Sequence, residues 1–253
     1  MAESSVAYDI PAARAEDRPT ARHSALVRVT HWITSVAVLA LLLTGIEIVI
    51  SHPRFYWGEV GNVNTPFLFR LPIPASRRTV DTGYGYVMPD QNGWSRSLHF
   101  EAAWILVSTG LLYLAYGFLG GHFRRNLLPS PGDRSAKRLV ATMARHLRLG
   151  RPKEEDAWSY NPLQRLTYSI VIFLIFPLMI WTGLAMSPAI EGALPIAVIL
   201  LGGRQTARTL HFFLTILLVM FVLVHVLMVV LSGFRERVGA MITGRVKQAV
   251  ERS

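Results

Sequence analysis

The run Thr209–Leu231 (TLHFFLTILLVMFVLVHVLMVVL) contains no Asp, Glu, Lys or Arg, yet it holds two histidines, His211 and His225. A stretch this long and this apolar fits the hydrocarbon core of a bilayer. The two histidines are fourteen residues apart. On a helix rising ~1.5 Å and turning ~100° per residue, that spacing sets the imidazoles ~21 Å apart and only ~40° off a common face. One ring then lies toward each side of the membrane, and both address the same neighbours. An ionisable side chain at such depth is costly unless it binds something, and the run offers His225 no acidic partner.

Three more apolar stretches are long enough to cross a bilayer, so the expected spans are about 27–50, 98–119, 163–186 and 209–233. The shorter run Leu194–Leu201 (LPIAVILL) reads as an interfacial or re-entrant piece. The fold class expected is all-α: a membrane four-helix bundle with four transmembrane helices. Positive charge gives the orientation. With the N-terminus inside, nineteen Lys and Arg fall on the inner side and seven on the outer, which places both termini in the cytoplasm. The formal charge of +10 is therefore read as topology, and no nucleic-acid partner is expected.

The organisation follows from these spans. Residues 1–25, rich in Ala, Pro and charge, read as a disordered cytoplasmic leader with no cleavable signal peptide. Residues 26–235 form the bundle domain, with a long outer loop over 51–97 and a basic inner loop over 120–160. Residues 236–253 make a basic cytoplasmic tail. The outer loop is crowded with aromatic residues, which favours an ordered surface. There are no internal repeats, no Walker motif, no GxGxxG and no HExxH.

The chain has no cysteine, so disulfides, thiolate-ligated iron–sulfur clusters and the Cys-x-x-Cys-His haem motif are all excluded. Histidine is the remaining candidate ligand for a redox cofactor. His31 opens the first span on the inner side, and His99 opens the second on the outer side. His211 opens the fourth on the outer side, with His225 deeper. Matching depths pairs His99 with His211 outside and His31 with His225 inside, each pair joining different helices. His31, His99 or His211 alone would read as an interfacial or hydrogen-bonded group, whereas His225 sits deep in FVLVHVLMVV with no acidic partner in that run. Four at two depths point to two haem b groups, each with two axial histidines, stacked across the membrane. His31 lies nearer its helix end than His225 does, an offset that helix tilt absorbs. The other four histidines, His23, His52, His122 and His146, fall in the leader or loops and read as solvated.

Smaller signals accompany the histidines. Gly45 and Gly110 are places where a macrocycle can approach the backbone, or where helices simply pack closely. Arg28, Arg96 and Arg208 each precede a candidate ligand by three residues, one helical turn, and can reach haem propionates as forked donors. For Arg28, anchoring at the inner leaflet is an equal reading. Phe100, Phe212 and Phe213 are candidates to pack on a porphyrin face or in an interfacial aromatic belt.

The segment RVTHW (Arg28–Trp32), the histidine of the second span, YNPLQR (Tyr160–Arg165) and the His-x13-His spacing together resemble the bacterial di-haem cytochrome b family. That family includes the membrane subunits of nickel–iron hydrogenase, respiratory formate dehydrogenase and thiosulfate reductase. The resemblance covers nearly all of residues 25–235. It implies a multi-pass protein of the bacterial inner membrane that passes electrons between a partner subunit and quinone. It also implies a quinone site near the inner haem, on the motif that holds Asn161 and Gln164. Asn161 before Pro162 is equally what helix capping alone selects. The long outer loop departs from the hydrogenase and formate dehydrogenase anchors and is similar to family members expected to serve periplasmic molybdopterin enzymes.

The expected function is electron transfer across the membrane between a periplasmic oxidoreductase subunit and the quinone pool. The alternative with the same fold is an autonomous membrane oxidoreductase, for example a superoxide-oxidising one. A cofactor-free scaffold or transporter leaves His225 without a physical role.

Overall fold

The computed structural model describes residues 24–61, 64–73, 79–81, 87–89, 93–128 and 162–244. The leader up to residue 23, most of the inner loop, the tail beyond 244, Asn161, His23 and His146 lie outside the described residues.

Among the described residues, four helices are long and apolar enough to cross a membrane: Ala25–Ser51, Gly93–Leu119, Leu163–Ala185 and Arg204–Leu231. The first is α1 (Ala25–Ser51), which starts where the Ser24 hydroxyl accepts the Val27 N–H at 3.3 Å, a side-chain N-cap. The second is α2 (Gly93–Leu119). The third is built from α3 (Pro162–Ile170), a π-helical turn over Val171–Ile175, and α4 (Phe176–Ala185). Pro177 explains the π turn. It has no N–H to give the Phe173 carbonyl and its ring would crowd that oxygen, so the helix widens by one residue just before it. After α4 come two short helices, α5 (Pro188–Ala193) and α6 (Ile196–Ile199). The fourth span is α7 (Arg204–Leu231), followed by α8 (Phe234–Thr243).

The second and fourth helices begin about a turn earlier than their hydropathy alone suggests. Arg96 and Arg208 are therefore helical residues, not loop residues. The run Leu194–Leu201 does not span. It folds back as α6 against α4 and α7, with Val198 buried beside Ala185 and Ala207 and the Trp181 indole N–H donating to the Ala197 carbonyl at 3.0 Å.

Helix α1 packs along α2, and α4 packs along α7, so the bundle consists of two hairpin-like halves. Outward positions such as Leu39, Leu43, Leu111, Leu223 and Val230 are more than half exposed, which suits a lipid solvent and no aqueous one.

The described part of the long loop is an ordered cap on one end of the bundle. Short antiparallel strands β1 (Arg54–Phe55) and β2 (Phe69–Arg70) pair Arg54 with Arg70 and Phe55 with Phe69. A second pair, β3 (Thr79–Asp81) and β4 (Val87–Pro89), follows. Phe55 is buried between the rings of Phe69, at 4.7 Å, and Phe212, at 4.5 Å. The loop also supplies the N-terminal cap of α7. The Glu59 carboxylate accepts the Arg204 N–H at 3.0 Å, and the Gly58 carbonyl accepts the N–H groups of Gln205 and Thr206. Gly203 is required at this junction. Its φ is +108°, and a Cβ there would sit 2.6 Å from the Gly58 carbonyl carbon.

Candidate cofactor site

The four histidines of the spans meet in two pairs, each bridging the two halves of the bundle. On the loop side, His99 of α2 and His211 of α7 have ring centroids 6.4 Å apart. On the side of the termini, His31 of α1 and His225 of α7 are also 6.4 Å apart. The depth offset of His31 does not keep it from its partner. A metal–imidazole bond of about 2 Å on each side, plus the two half-rings, adds to about 6 Å between centroids. The spacing thus suits one metal ion held between two imidazoles. Among the described residues no three His, Cys, Asp or Glu side chains gather as a metal site. Two protein ligands on opposite sides suit an iron whose other positions are filled by a macrocycle.

The loop-side pair is held by two matching devices. Thr44 on α1 places its Oγ1 2.9 Å from His99 Nδ1, and Thr182 on α4 places its Oγ1 3.0 Å from His211 Nδ1. Both threonines are fully buried. Each is followed by a glycine that lies beside Cε1 of the same ring. A Cβ on Gly45 would sit 3.6 Å from His99 Cε1, and one on Gly183 would sit 3.4 Å from His211 Cε1. Gly110 faces open space, with nothing within 4 Å of where its Cβ would be, and leaves room for a flat group.

The pair near the termini is dressed differently. His225 Nδ1 makes a long 3.5 Å contact with the Tyr168 hydroxyl, and the Phe221 ring stacks on His225 at 5.7 Å. His31 Nδ1 is buried without a hydrogen-bond partner among the described residues, and the Trp32 indole meets the His31 ring edge-on at 5.4 Å.

The arginines occupy three different settings. Arg28 donates to the Ile242 carbonyl at 2.6 Å and, with the Trp32 indole N–H on the Met241 carbonyl at 3.2 Å, fastens the C-terminal end of α8 to α1. Arg208 donates to the carbonyls of His52 and Arg54 and lies 5.0 Å over the Phe55 ring, so it pins the loop to α7. Arg96 is exposed one turn before His99. Gln164 lies in the first turns of α3, where it is partly buried. Phe212 and Phe213 join the aromatic group around Phe69, whereas Phe100 points outward.

Of the two described histidines outside the pairs, His122 differs from the solvated reading and His52 is exposed. His122 lies among Tyr113, Tyr116 and Phe123. His52 remains accessible, but partial burial, then the charges of Arg208 and Arg96, hold its imidazole below the usual histidine pKa.

Sequence reasoning missed Thr44, Thr182, Gly183 and Tyr168. The signal was present as a Thr-Gly dipeptide deep in both the first span (LLLTG) and the third (MIWTG).

The family model for prokaryotic cytochrome b561 matches residues 22–244, which takes in both histidine pairs and all four spans. The chain belongs to the prokaryotic cytochrome b561 family. Curated relatives agree. A protein of Azospira oryzae, named provisionally as the YedZ1 subunit of a protein-methionine-sulfoxide reductase, is 33% identical over 209 residues, covering 83% of this chain and 90% of that protein. Two proteins named provisionally as B-type cytochrome subunits of Ni/Fe-hydrogenase are each 26% identical. The one from Cupriavidus necator covers 88% of this chain and 84% of its own length. The one from Bradyrhizobium diazoefficiens covers 94% and 91%. This cytochrome is thus a multi-pass, haem b membrane subunit for electron transfer, of a kind associated with oxidoreductases.

Proposed function

We propose that this cytochrome holds two haem b groups and carries electrons across the bacterial inner membrane between a periplasmic oxidoreductase subunit and the quinone pool. The observation that carries the reading is the duplicated geometry: two histidine pairs with the same 6.4 Å spacing, each joining the two halves of the bundle. His99 and His211 would ligate the outer haem, and His31 and His225 the inner one. When bound, the haem irons supply one-electron chemistry, which the cysteine-free chain does not otherwise contain. The chain's own part is to hold the irons by two imidazoles each, to exclude water with apolar spans, and to keep the two sites apart. On α7 the ligand positions are ~21 Å apart along the axis.

Arg96 is the arginine best placed for a propionate. The guanidinium groups of Arg28 and Arg208 already donate to backbone carbonyls and hold neighbouring segments. The quinone would bind at the inner haem beside Asn161 and Gln164. A partner in the periplasm is supported by the ordered loop cap over the outer pair, given the cytoplasmic termini expected from the charge balance. A molybdopterin-dependent enzyme is the partner class proposed, because the loop resembles those of family members expected to serve such enzymes. The Azospira oryzae relative, itself named as a reductase subunit, supports an oxidoreductase partner.

The test is quinol reduction of the haem in membrane vesicles. Addition of a short-chain quinol is expected to reduce the haem iron, read as a rise of the b-type α-band, and Asn161→Ala or Gln164→Ala to slow that reduction at unchanged haem content. A wild-type chain that no quinol reduces would overturn the quinone reading, and unchanged rates in both variants would remove those two residues from the site.

A further inference from the structure

We propose that Thr44 and Thr182 are positioning residues that fix the tautomer and ring plane of His99 and His211, and thereby lower the reduction potential of the haem held by that pair. The inference rests on the reading of those histidines as axial ligands. Its core is the direction of two hydrogen bonds. A threonine hydroxyl has one proton, and here each spends it along its own helix. Thr44 Oγ1 donates to the Ala40 carbonyl at 2.7 Å, and Thr182 Oγ1 donates to the Leu178 carbonyl at 2.8 Å. What remains on each oxygen is lone-pair density, so the 2.9 Å and 3.0 Å contacts with the imidazoles are bonds that Nδ1–H donates. Nδ1 therefore carries the proton in both rings. Nε2 is left with its lone pair, as a metal ligand requires.

The same pattern occurs independently on both halves of the bundle. In each, the threonine sits on the helix that packs beside the histidine's own helix, and the next residue is the glycine beside the ring's Cε1. Ring orientation is thus set from within each half. The pair near the termini lacks the device. Among the described residues, His31 Nδ1 has no hydrogen-bond partner, and His225 Nδ1 has the long contact with Tyr168.

An imidazole that donates from Nδ1 is a more basic ligand at Nε2, and a more basic ligand favours oxidised iron. The Leu41 and Met179 carbonyls also interact with these two rings, so removing the threonine oxygen weakens the donation and should raise the potential of the loop-side haem while leaving the other unchanged. The test is a redox titration of purified protein carrying Thr44→Val, Thr182→Val and both, with b-haem per chain and low-spin electron paramagnetic resonance recorded on each. The expected result is two haems per chain, an upward shift of one of the two potentials that is larger in the double variant, altered g values for the same haem, and recovery with Thr44→Ser and Thr182→Ser. Two haems with both potentials and both signals unchanged in the double variant would overturn the proposal. If a valine variant loses haem, the serine variants decide: wild-type potentials in serine support positioning by the hydroxyl, and haem loss in serine as well contradicts it. A wild-type chain with fewer than two haems would instead fail the ligand assignment on which the proposal rests.

Discussion

An imidazole in hydrocarbon must find a partner, and His225 shows the cost of losing one. On the two-haem proposal, replacing it with alanine should remove the haem assigned to it and His31, lowering the b-haem content from two per chain to one while the other haem keeps its spectrum. The measurement is the pyridine haemochrome assay on protein of known concentration. Loss of both haems at full expression would mean that the pairs are not independent sites. His52 gives a pH prediction. Its pKa in the folded protein lies below the ordinary histidine value of 6.5. As pH falls below about 6.5, the unfolded chain takes up this proton first, so the folded state loses stability. His52→Gln removes that linkage. Melting in detergent between pH 8 and pH 5 should therefore fall less for the variant than for the wild type, and parallel curves would contradict this.

At the scale of elements, the spans were legible because length and hydropathy depend on composition alone, and a bilayer leaves the chain few other choices. Helix starts were less legible. The polar first turns of α2 and α7 carry Arg96, Arg204 and Arg208, and hydropathy alone stops short of them. The capping of α7 by Gly58 and Glu59 was hidden for a different reason, since its partners lie some 145 residues apart in sequence and meet only in the fold. Gly203 marks that junction. Gly203→Ala would force a Cβ into the Gly58 backbone at a positive φ, at a cost of about 1–3 kcal/mol. The loop cap should then detach, which would show as faster proteolysis between residues 52 and 73 and a lower melting temperature. An unaltered cleavage pattern would show that the cap does not depend on the close approach of these two glycines.

For the whole molecule, the histidine depths ordered along the spans named the same partners that lie 6.4 Å apart in space. Depth is readable from sequence because a helix advances uniformly. The threonine contacts are not, because a hydroxyl's partner depends on helix rotation and on the π turn beside Pro177. Orientation is testable at this scale, since the chain has no cysteine of its own. A single Val60→Cys, exposed in the loop cap, should react with a membrane-impermeant maleimide in intact spheroplasts, and Ile242→Cys, exposed on α8, should react only after lysis. The reverse pattern would place the loop in the cytoplasm and remove the periplasmic partner. The most direct test of the whole account is the b-haem count of the purified wild-type chain by pyridine haemochrome. Two haems per chain is the expected result. One would break a histidine pair, and none, from cells well supplied with haem, would contradict the electron-transfer reading itself.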